Sequence, residues 1–309
     1  MNAPRVDTLP LTITPMRFTL RALDPVRLPA FAGSTLRGAL GNTLRALTCA
    51  TGAPECDGCP RLAQCAFPQL WVGSHHQGVD PGFDRNALAN APPPYLVVPP
   101  PYTGHPTYLQ PGDLFGFRLN LIGQAGRRAE LWEAAVRAAA LNGFAEGRGR
   151  LAASCSVDAP FRPTSDPGPW LAPVRLHFET PLHILRERHR LDHFDPIAFT
   201  RRLTDRIERL ITLYGDGPSP LDATELDDQA ARVVVVEQYI RAVHDERISD
   251  RQGRNIPITG FVGSVTLDAV PRPLRSLWRL AEWLHAGKGA PMGLGRVVVE
   301  THDRKVPAC

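Results

Sequence analysis

The spacing of hydrophobic residues in the first half of the chain switches between the period of a strand and that of a helix. Leu11–Leu23 is rich in β-branched residues and partly alternates, which predicts a strand. Ser34 can cap a helix that follows, and four leucines share one face of it: Leu36, Leu40, Leu44 and Leu47. The same rules predict a helix at Ala129–Leu141 and strands at Tyr95–Val98, Leu114–Leu121 and Leu151–Val157.

The second half repeats this order after a short polar stretch. Ser165–Pro173 is rich in Pro, Gly, Ser and Asp, the composition of a linker. Val174–Phe178 predicts a strand, and Pro196 begins a helix that Gly215 ends. The apolar stripe of this helix consists of Phe199, Leu203, Ile207, Leu210 and Tyr214. The remaining elements are a helix at Leu274–His285 and strands at Val233–Ile240, Gly260–Leu267 and Arg296–Glu300.

Each half therefore has the order strand, helix, strand, strand, helix, strand, which is that of the ferredoxin-like unit. We predict an α+β protein with two tandem ferredoxin-like (RRM-like) domains, at residues 1–164 and 174–309. A Cys-rich segment, residues 49–65, is predicted to be an insertion after the first helix. In proteins that bind single-stranded RNA, such units expose one sheet face to the nucleic acid.

Composition and charge narrow the class of protein. The 309 residues are 43% hydrophobic, which favours a folded chain with two cores of ordinary size. No apolar run approaches the ~18 residues that cross a bilayer, and prolines interrupt Met1–Leu20, so we expect a cytoplasmic protein with no membrane partner. The net charge of +4 permits a polyanionic partner without requiring one. Among the 35 basic residues only Lys288 and Lys305 are lysines, which draws attention to Lys288 inside a glycine-rich stretch.

That stretch, His285–Arg296, lies between the last predicted helix and the last predicted strand. It contains four glycines, which can adopt positive φ and approach a ligand closely: Gly287, Gly289, Gly293 and Gly295. Phosphate-binding loops of the Walker and dinucleotide types have a strand before and a helix after, and the order here is reversed. Nucleotide binding is therefore excluded. A tight connection that needs glycine only for its geometry remains an alternative.

Three motifs together resemble those of a known family. The loop His285–Arg296 is similar to its C-terminal glycine-rich signature, and Gly33–Gly41 resembles the glycine-serine turn that opens its first helix. Asp245–Gln252, followed by Gly260–Gly263, resembles the middle motif of one branch. The family is that of the CRISPR repeat-processing endoribonucleases of the RAMP (repeat-associated mysterious protein) superfamily. The three motifs occur in the family's order and cover both halves of the chain.

The resemblance implies binding of a CRISPR repeat RNA or crRNA hairpin and metal-independent cleavage within the repeat. The ribose 2′-OH attacks the adjacent phosphate and leaves 2′,3′-cyclic phosphate and 5′-OH ends. A base must take the 2′-OH proton, an acid must protonate the leaving oxygen, and cations must stabilise the extra charge on phosphorus. It also implies other subunits of a CRISPR effector complex as partners.

Many relatives place a catalytic histidine on or near the first helix, whereas this chain has no histidine before His75. We therefore predict His285 as the catalytic imidazole, with Lys288 and Ser249 as partners at the phosphate. A structural role for His285 at a helix C-terminus is the alternative. The RNA-binding candidates are Arg37, Arg45, Arg247, Arg251, Arg254, Gly287, Gly289, Gly293, Gly295 and Arg296. The other histidines considered, with less to single them out, are His75, His76, His183, His189, His193 and His244.

Four cysteines suggest a metal site: Cys49, Cys56, Cys59 and Cys65. Their spacing, C-x6-C-x2-C-x5-C, suits four thiolates around a structural zinc ion. An iron–sulfur cluster would use the same ligands. Disulfides are the alternative, which a reducing cytoplasm disfavours.

Three functions from different classes compete. The first is the processing endoribonuclease. The second is a non-catalytic RAMP subunit that binds guide RNA in an effector complex, which the missing early histidine favours. The third is a zinc-stabilised protein-interaction module, which the doubled ferredoxin-like pattern and the glycine-rich loop disfavour.

Overall fold

A computed structural model describes residues 8–73, 91–144, 149–164, 173–187, 189–249 and 254–300. The chain divides into two compact units. The N-terminal unit comprises Leu11–Phe161 and Arg209–Asp216. The C-terminal unit comprises Met1–Pro10, Arg162–Glu208 and Gly217–Cys309.

The N-terminal unit is a four-stranded antiparallel sheet with helices on one face. Its strands are β1 (Ile13–Ala22), β2 (Val26–Leu28), β3 (Tyr95–Val98), β4 (Thr107–Leu109), β5 (Leu114–Ile122) and β6 (Leu151–Val157). Its helices are α1 (Gly33–Thr48), α2 (Ala66–Trp71) and α3 (Ala129–Asn142). The main sheet has the order β3-β5-β1-β6, and β2 pairs with β4 separately.

Alternation along β1 explains the core of this unit. Its inward side chains, Met16, Phe18 and Leu20, are buried, whereas Arg17 and Thr19 between them are exposed. Phe18 stacks on Phe117 of β5, with ring centroids 5.0 Å apart. Leucines of α1 and Trp132 of α3 complete the core, so burial of these apolar side chains holds the helices on the sheet.

The C-terminal unit repeats this plan. Its strands are β7 (Val174–Leu182), β8 (Leu185–Arg186), β9 (His189–Arg190), β10 (Val234–Ser249), β11 (Arg254–Asp268) and β12 (Val297–Val299). The helices are α4 (Pro196–Tyr214), α5 (Ala223–Ala230), α6 (Arg272–Arg279) and α7 (Ala281–Leu284), with the end of α4 assigned to the N-terminal unit. The sheet order is β10-β11-β7-β12, and β8 pairs with β9.

Aromatic side chains dominate the second core. Phe178, Phe194, Phe199 and Trp278 contact one another with centroids 5.3 to 6.1 Å apart. The buried indole N–H of Trp278 donates to the hydroxyl of Thr200 at 3.0 Å, so the core carries no desolvation penalty at that nitrogen. Asp195 caps α4 by accepting from the backbone N–H of Ala198 at 2.8 Å.

The predicted α+β class with two tandem ferredoxin-like domains is confirmed, since both sheets have the strand order second, third, first, fourth. Several details are wrong. Ala32, not Ser34, is the N-cap of α1, and Leu47 is half exposed because it lies on the outer side of the last turn. The predicted helix Leu274–His285 is two helices that end at Leu284.

None of the helices in the described ranges combines enough length and hydrophobicity to cross a membrane.

Candidate functional site

The glycine-rich loop connects α7 to β12 and is fixed by backbone hydrogen bonds. The N–H of Ala286 donates to Gly295 at 3.0 Å, which closes the loop on itself. The N–H of Lys288 donates to the carbonyl of His183 and that of Gly295 to Pro181, both at 3.0 Å. The loop is therefore anchored to the end of β7 and to the residue that follows it.

Close packing explains why this loop is rich in glycine. All four of its glycines have positive φ. A Cβ at Gly295 would lie 1.8 Å from the carbonyl oxygen of Ala286, and one at Gly287 would lie 2.4 Å from that of His183. Thr180 adds a further clamp, donating to Gly293 at 2.7 Å and accepting from the N–H of Arg296 at 2.8 Å. Loop geometry alone thus requires these glycines.

His285 lies inside the fold rather than at its surface. Its side chain is fully buried, and Nδ1 lies 3.2 Å from the carbonyl oxygen of Leu294. Lys288 of the same loop is exposed. The structure therefore separates the two predicted catalytic residues, and the burial of His285 does not fit proton transfer to or from an RNA, which requires hydrogen-bond reach of the reacting oxygen.

A different histidine lies beside the loop. His183 is half-buried, and its Nδ1 is 2.9 Å from the hydroxyl and 3.2 Å from the carbonyl oxygen of Thr259. Burial lowers the pKa of His183, the charges of Lys288 and Arg190 lower it further, and the bond to Thr259 opposes them. The imidazole is therefore neutral at neutral pH.

A second imidazole joins this group through strand pairing. His244 of β10 is the direct cross-strand partner of Thr259 in β11, which places the two side chains on the same face. Its Nε2 lies 3.4 Å from a guanidinium nitrogen of Arg190, and both side chains are exposed. We call the group His183, Arg190, His244, Thr259 and Lys288 the basic cluster. It combines two imidazoles with two permanent cations, the groups that acid–base chemistry at a phosphate requires.

His183 and His244 are both candidates from the sequence, but nothing in the sequence links them to Lys288. His183 and His244 carry no spacing signal, since strand pairing and the loop anchor bring them together. The other histidines of this region are outside the cluster. His193 pairs with Asp192 at 2.9 Å, and His189 is exposed in β9. His75 and His76 lie outside the described residues.

The predicted RNA-binding arginines of α1 are engaged within the N-terminal unit. The Nε of Arg37 donates to the Tyr95 hydroxyl at 2.9 Å, and its guanidinium lies 5.0 Å from the centre of the Trp71 ring. Burial raises the pKa of Tyr95 to about 12, against the opposing effect of Arg37. Arg45 donates to the carbonyl oxygens of Ala53 and Pro54. Both cations thus brace their own unit.

The middle motif is strand as far as Ser249, because β10 extends well beyond the predicted strand Val233–Ile240. β10 continues to Ser249, and β11 begins at Arg254, which pairs with Ser249. Arg247 lies within β10 opposite Ile256, and Arg251 lies outside the described residues. Arg296, at the end of the glycine-rich loop, forms a mostly buried ion pair with Glu179 at 2.8 Å. The guanidinium of Arg296 therefore stabilises the fold through this ion pair.

The four clustered cysteines are free thiols of intermediate burial. As the side chains stand, no three or more His, Cys, Asp or Glu residues within the described ranges are grouped closely enough to hold a metal ion. The Thr51 hydroxyl lies 3.8 Å from the sulfur of Cys49 and 3.5 Å from that of Cys59.

Two family models match the chain, one in each half. Residues 176–297 match the family described as CRISPR-associated endoribonuclease Cas6. Residues 10–159 match the N-terminal domain family AF_1859_N. No curated protein matches the sequence.

Solved structures resemble the whole chain. A Cas6 product complex has a TM-score of 0.54 at 16% identity, covering 93% of this chain and 99% of the other. Thermus thermophilus Cas6 has a TM-score of 0.52 at 16% identity, with 94% and 99% covered. A partial Cas6-RT-Cas1–Cas2 complex has a TM-score of 0.58 at 12% identity, with 96% and 47% covered. At these identities the likeness shows a shared two-domain fold.

Proposed function

We propose that this chain, whose residues 176–297 match the CRISPR-associated endoribonuclease Cas6 family, cleaves CRISPR precursor RNA within the repeat. The ribose 2′-OH attacks the adjacent phosphate, and no metal ion takes part. The products would carry a 2′,3′-cyclic phosphate and a 5′-OH. The observation that carries this mechanism is the basic cluster, which sets two imidazoles beside two cations in that domain.

His183 has the properties of the general base. We assign the ring proton to Nδ1, which can donate to the carbonyl or the hydroxyl oxygen of Thr259, so that Nε2 presents a lone pair. The lowered pKa keeps the ring neutral at neutral pH, as a base must be before it takes the 2′-OH proton. This assignment replaces His285, whose burial suits a structural role.

The remaining steps use the rest of the cluster. Lys288 and Arg190 stabilise the charge that builds on the phosphate oxygens, since a lysine ammonium and an arginine fork both bind phosphate. His244 is the second imidazole and is assigned proton transfer to the leaving 5′-oxygen. Ser249 remains a candidate at the far end of β10. CRISPR repeat RNA is the proposed substrate, in keeping with the Cas6 family match. Other CRISPR proteins are proposed partners because one structure of similar fold is a partial Cas6-RT-Cas1–Cas2 complex.

Incubation with cognate repeat RNA in excess EDTA tests this function. We expect one discrete cut and a cyclic phosphate end, identified by its sensitivity to acid treatment followed by phosphatase. His183→Ala should abolish the product while RNA binding persists. His193→Ala is the matched control, because His193 is an exposed histidine of the same connection that lies outside the basic cluster.

A non-catalytic guide-RNA-binding subunit is the second candidate, favoured by the burial of His285 and the absence of a histidine before His75. Tight binding of the repeat with no product under any condition would select it. Cleavage that requires an added divalent ion would contradict the metal-independent mechanism.

A further inference from the structure

The segment between α1 and α2 contains four thiols that the proposed cleavage chemistry does not use. Cys49 ends α1, Cys65 immediately precedes α2, and Cys56 and Cys59 lie between them. Cys56 and Cys65 also pack against the hydrophobic core of the N-terminal unit. The segment contains 15 residues between its outer cysteines in the sequence and forms only one short 3-10 helix, Leu62–Gln64. Something other than regular secondary structure must therefore hold it.

The central pair lies on a tight turn of the kind that chelates metal ions. The N–H of Cys59 donates to the carbonyl of Cys56 at 3.1 Å, and Gly58 between them has a φ of 76°. The N–H of Leu62 then donates to Cys59 at 3.0 Å. Such a turn directs two cysteine side chains to the same side, which is the use of the C-x2-C spacing in structural zinc sites.

A single hydroxyl lies between two of the sulfurs. The Thr51 hydroxyl oxygen is 3.8 Å from the sulfur of Cys49 and 3.5 Å from that of Cys59. These two cysteines therefore face one small space.

Cys65 lies beside the end of α1, next to Cys49. Its sulfur is 3.9 Å from the carbonyl oxygen of Thr48, the residue that precedes Cys49. The backbone turn joins Cys56 to Cys59, and the Thr51 hydroxyl joins Cys59 to Cys49. Contacts within this segment therefore connect all four cysteines.

We propose that Cys49, Cys56, Cys59 and Cys65 bind one Zn²⁺ ion as four thiolates. Binding releases their protons to solvent, forms four Zn–S bonds of about 2.3 Å and requires the thiols to turn inward from their present positions. Four thiolates around one ion are the donor set of a structural zinc site.

The site would fix the position of α2 and, through it, of Arg37. Trp71 at the end of α2 packs so closely on α1 that a Cβ at Gly41 would lie 2.4 Å from its ring. The same ring stacks on Tyr95 at 4.6 Å and lies under the guanidinium of Arg37. A metal that anchors Cys65 next to α2 therefore orders the aromatic group that holds Arg37.

Metal content of the purified chain tests the proposal. We expect about one zinc per chain by plasma mass spectrometry, essentially none in a Cys56→Ser, Cys59→Ser double variant, and full content in Cys155→Ser, a matched control. Cysteine 155 is a free thiol on β6, outside the segment. A second measurement uses the wild-type chain alone. Replacement of its metal by Co²⁺ should give the visible absorption of a tetrahedral cobalt thiolate.

Several results would overturn the proposal. Iron with acid-labile sulfide in the anaerobically purified protein would identify a cluster instead of zinc. A metal-free wild-type chain that gives no cobalt spectrum would exclude the site without reference to any variant. The zinc site would also be excluded if the four cysteines formed disulfides in freshly lysed cells. None of these results depends on whether the protein cuts RNA.

Discussion

The two units have the same strand order but differ in their second strand. In the N-terminal unit this strand is β3, four residues long and wholly buried. In the C-terminal unit it is β10, sixteen residues long, with Val236 and Tyr239 more than half exposed. The same topology therefore has a short, buried edge strand in the N-terminal unit. In the C-terminal unit the edge strand is part of a long hairpin with β11, on which His244 is exposed.

The basic side chains compared in the two units also differ in their contacts and exposure. Arg37 in the N-terminal unit donates to the Tyr95 hydroxyl and lies over the Trp71 ring, whereas Lys288 and Arg190 in the C-terminal unit are exposed and lie near the imidazole of His183. The partners of a basic side chain, rather than the number of arginines, therefore distinguish a cation that is held within its unit from one that is exposed to a ligand.

The largest expected effect is on the stability of the C-terminal unit. Gly295→Ala adds a Cβ within 1.8 Å of a backbone oxygen at a φ of 68°, and should cost about 3 kcal/mol or more of unfolding free energy. Urea denaturation measures this. Gly112→Ala in the N-terminal unit is the control, since it has a positive φ but open space, and should cost about 1 kcal/mol. Equal losses would mean that loop packing is not the reason for Gly295.

Cleavage should depend on His183, the half-buried histidine of the basic cluster. His183→Ala should lower the single-turnover rate by about 100-fold or more, the contribution of a positioned general base. His183→Gln keeps a hydrogen-bonding side chain but cannot shuttle a proton, and should be equally slow. A wild-type rate in either variant would remove His183 from the mechanism.

Arginines of the two units should contribute differently to RNA affinity. Arg190→Ala should weaken repeat RNA binding several-fold and reduce the salt dependence by about one ion. Tyr95→Phe removes the hydroxyl that holds Arg37 and should cost about 1 kcal/mol of N-terminal stability, with little effect on affinity. Loss of RNA affinity in Tyr95→Phe, measured by filter binding, would show that Arg37 also binds RNA.

The smallest expected effect is a shift in pH dependence. The pKa of His183 is lowered by burial and by two cations, so the base stays neutral below the usual histidine range. Cleavage should therefore fall on the acid side with a midpoint below 6.5, and Lys288→Ala should move that midpoint upward. A midpoint unaffected by Lys288→Ala would place the titrating group elsewhere.

Much of the fold follows from periodicity, and the rest depends on tertiary contacts. The leucine spacing of α1 and the alternation of β1 are local signals, and both elements formed near the expected bounds. The charged residues Asp245–Ser249 gave no strand pattern, yet pairing with β11 extends β10 through them. His285 precedes a glycine loop in sequence, but its burial depends on the carbonyl of Leu294 folding back over it. The grouping of His183 with Lys288 depends on one backbone hydrogen bond that no spacing encodes.

Helix α4 has a consequence for how the gene can be divided. The helix continues past Glu208 into Arg209–Asp216, which belong to the N-terminal unit, where the Tyr214 hydroxyl donates to the carbonyl of Pro92 at 2.7 Å. The family matches end and begin at 159 and 176, well before these residues. A truncated chain cut at that boundary would lose a buried contact of its first half, and the end of α4 on its second half would lose Pro92, to which Tyr214 donates. Each half matches its own family model, but we expect neither half to fold normally when it is expressed alone or fused to another protein.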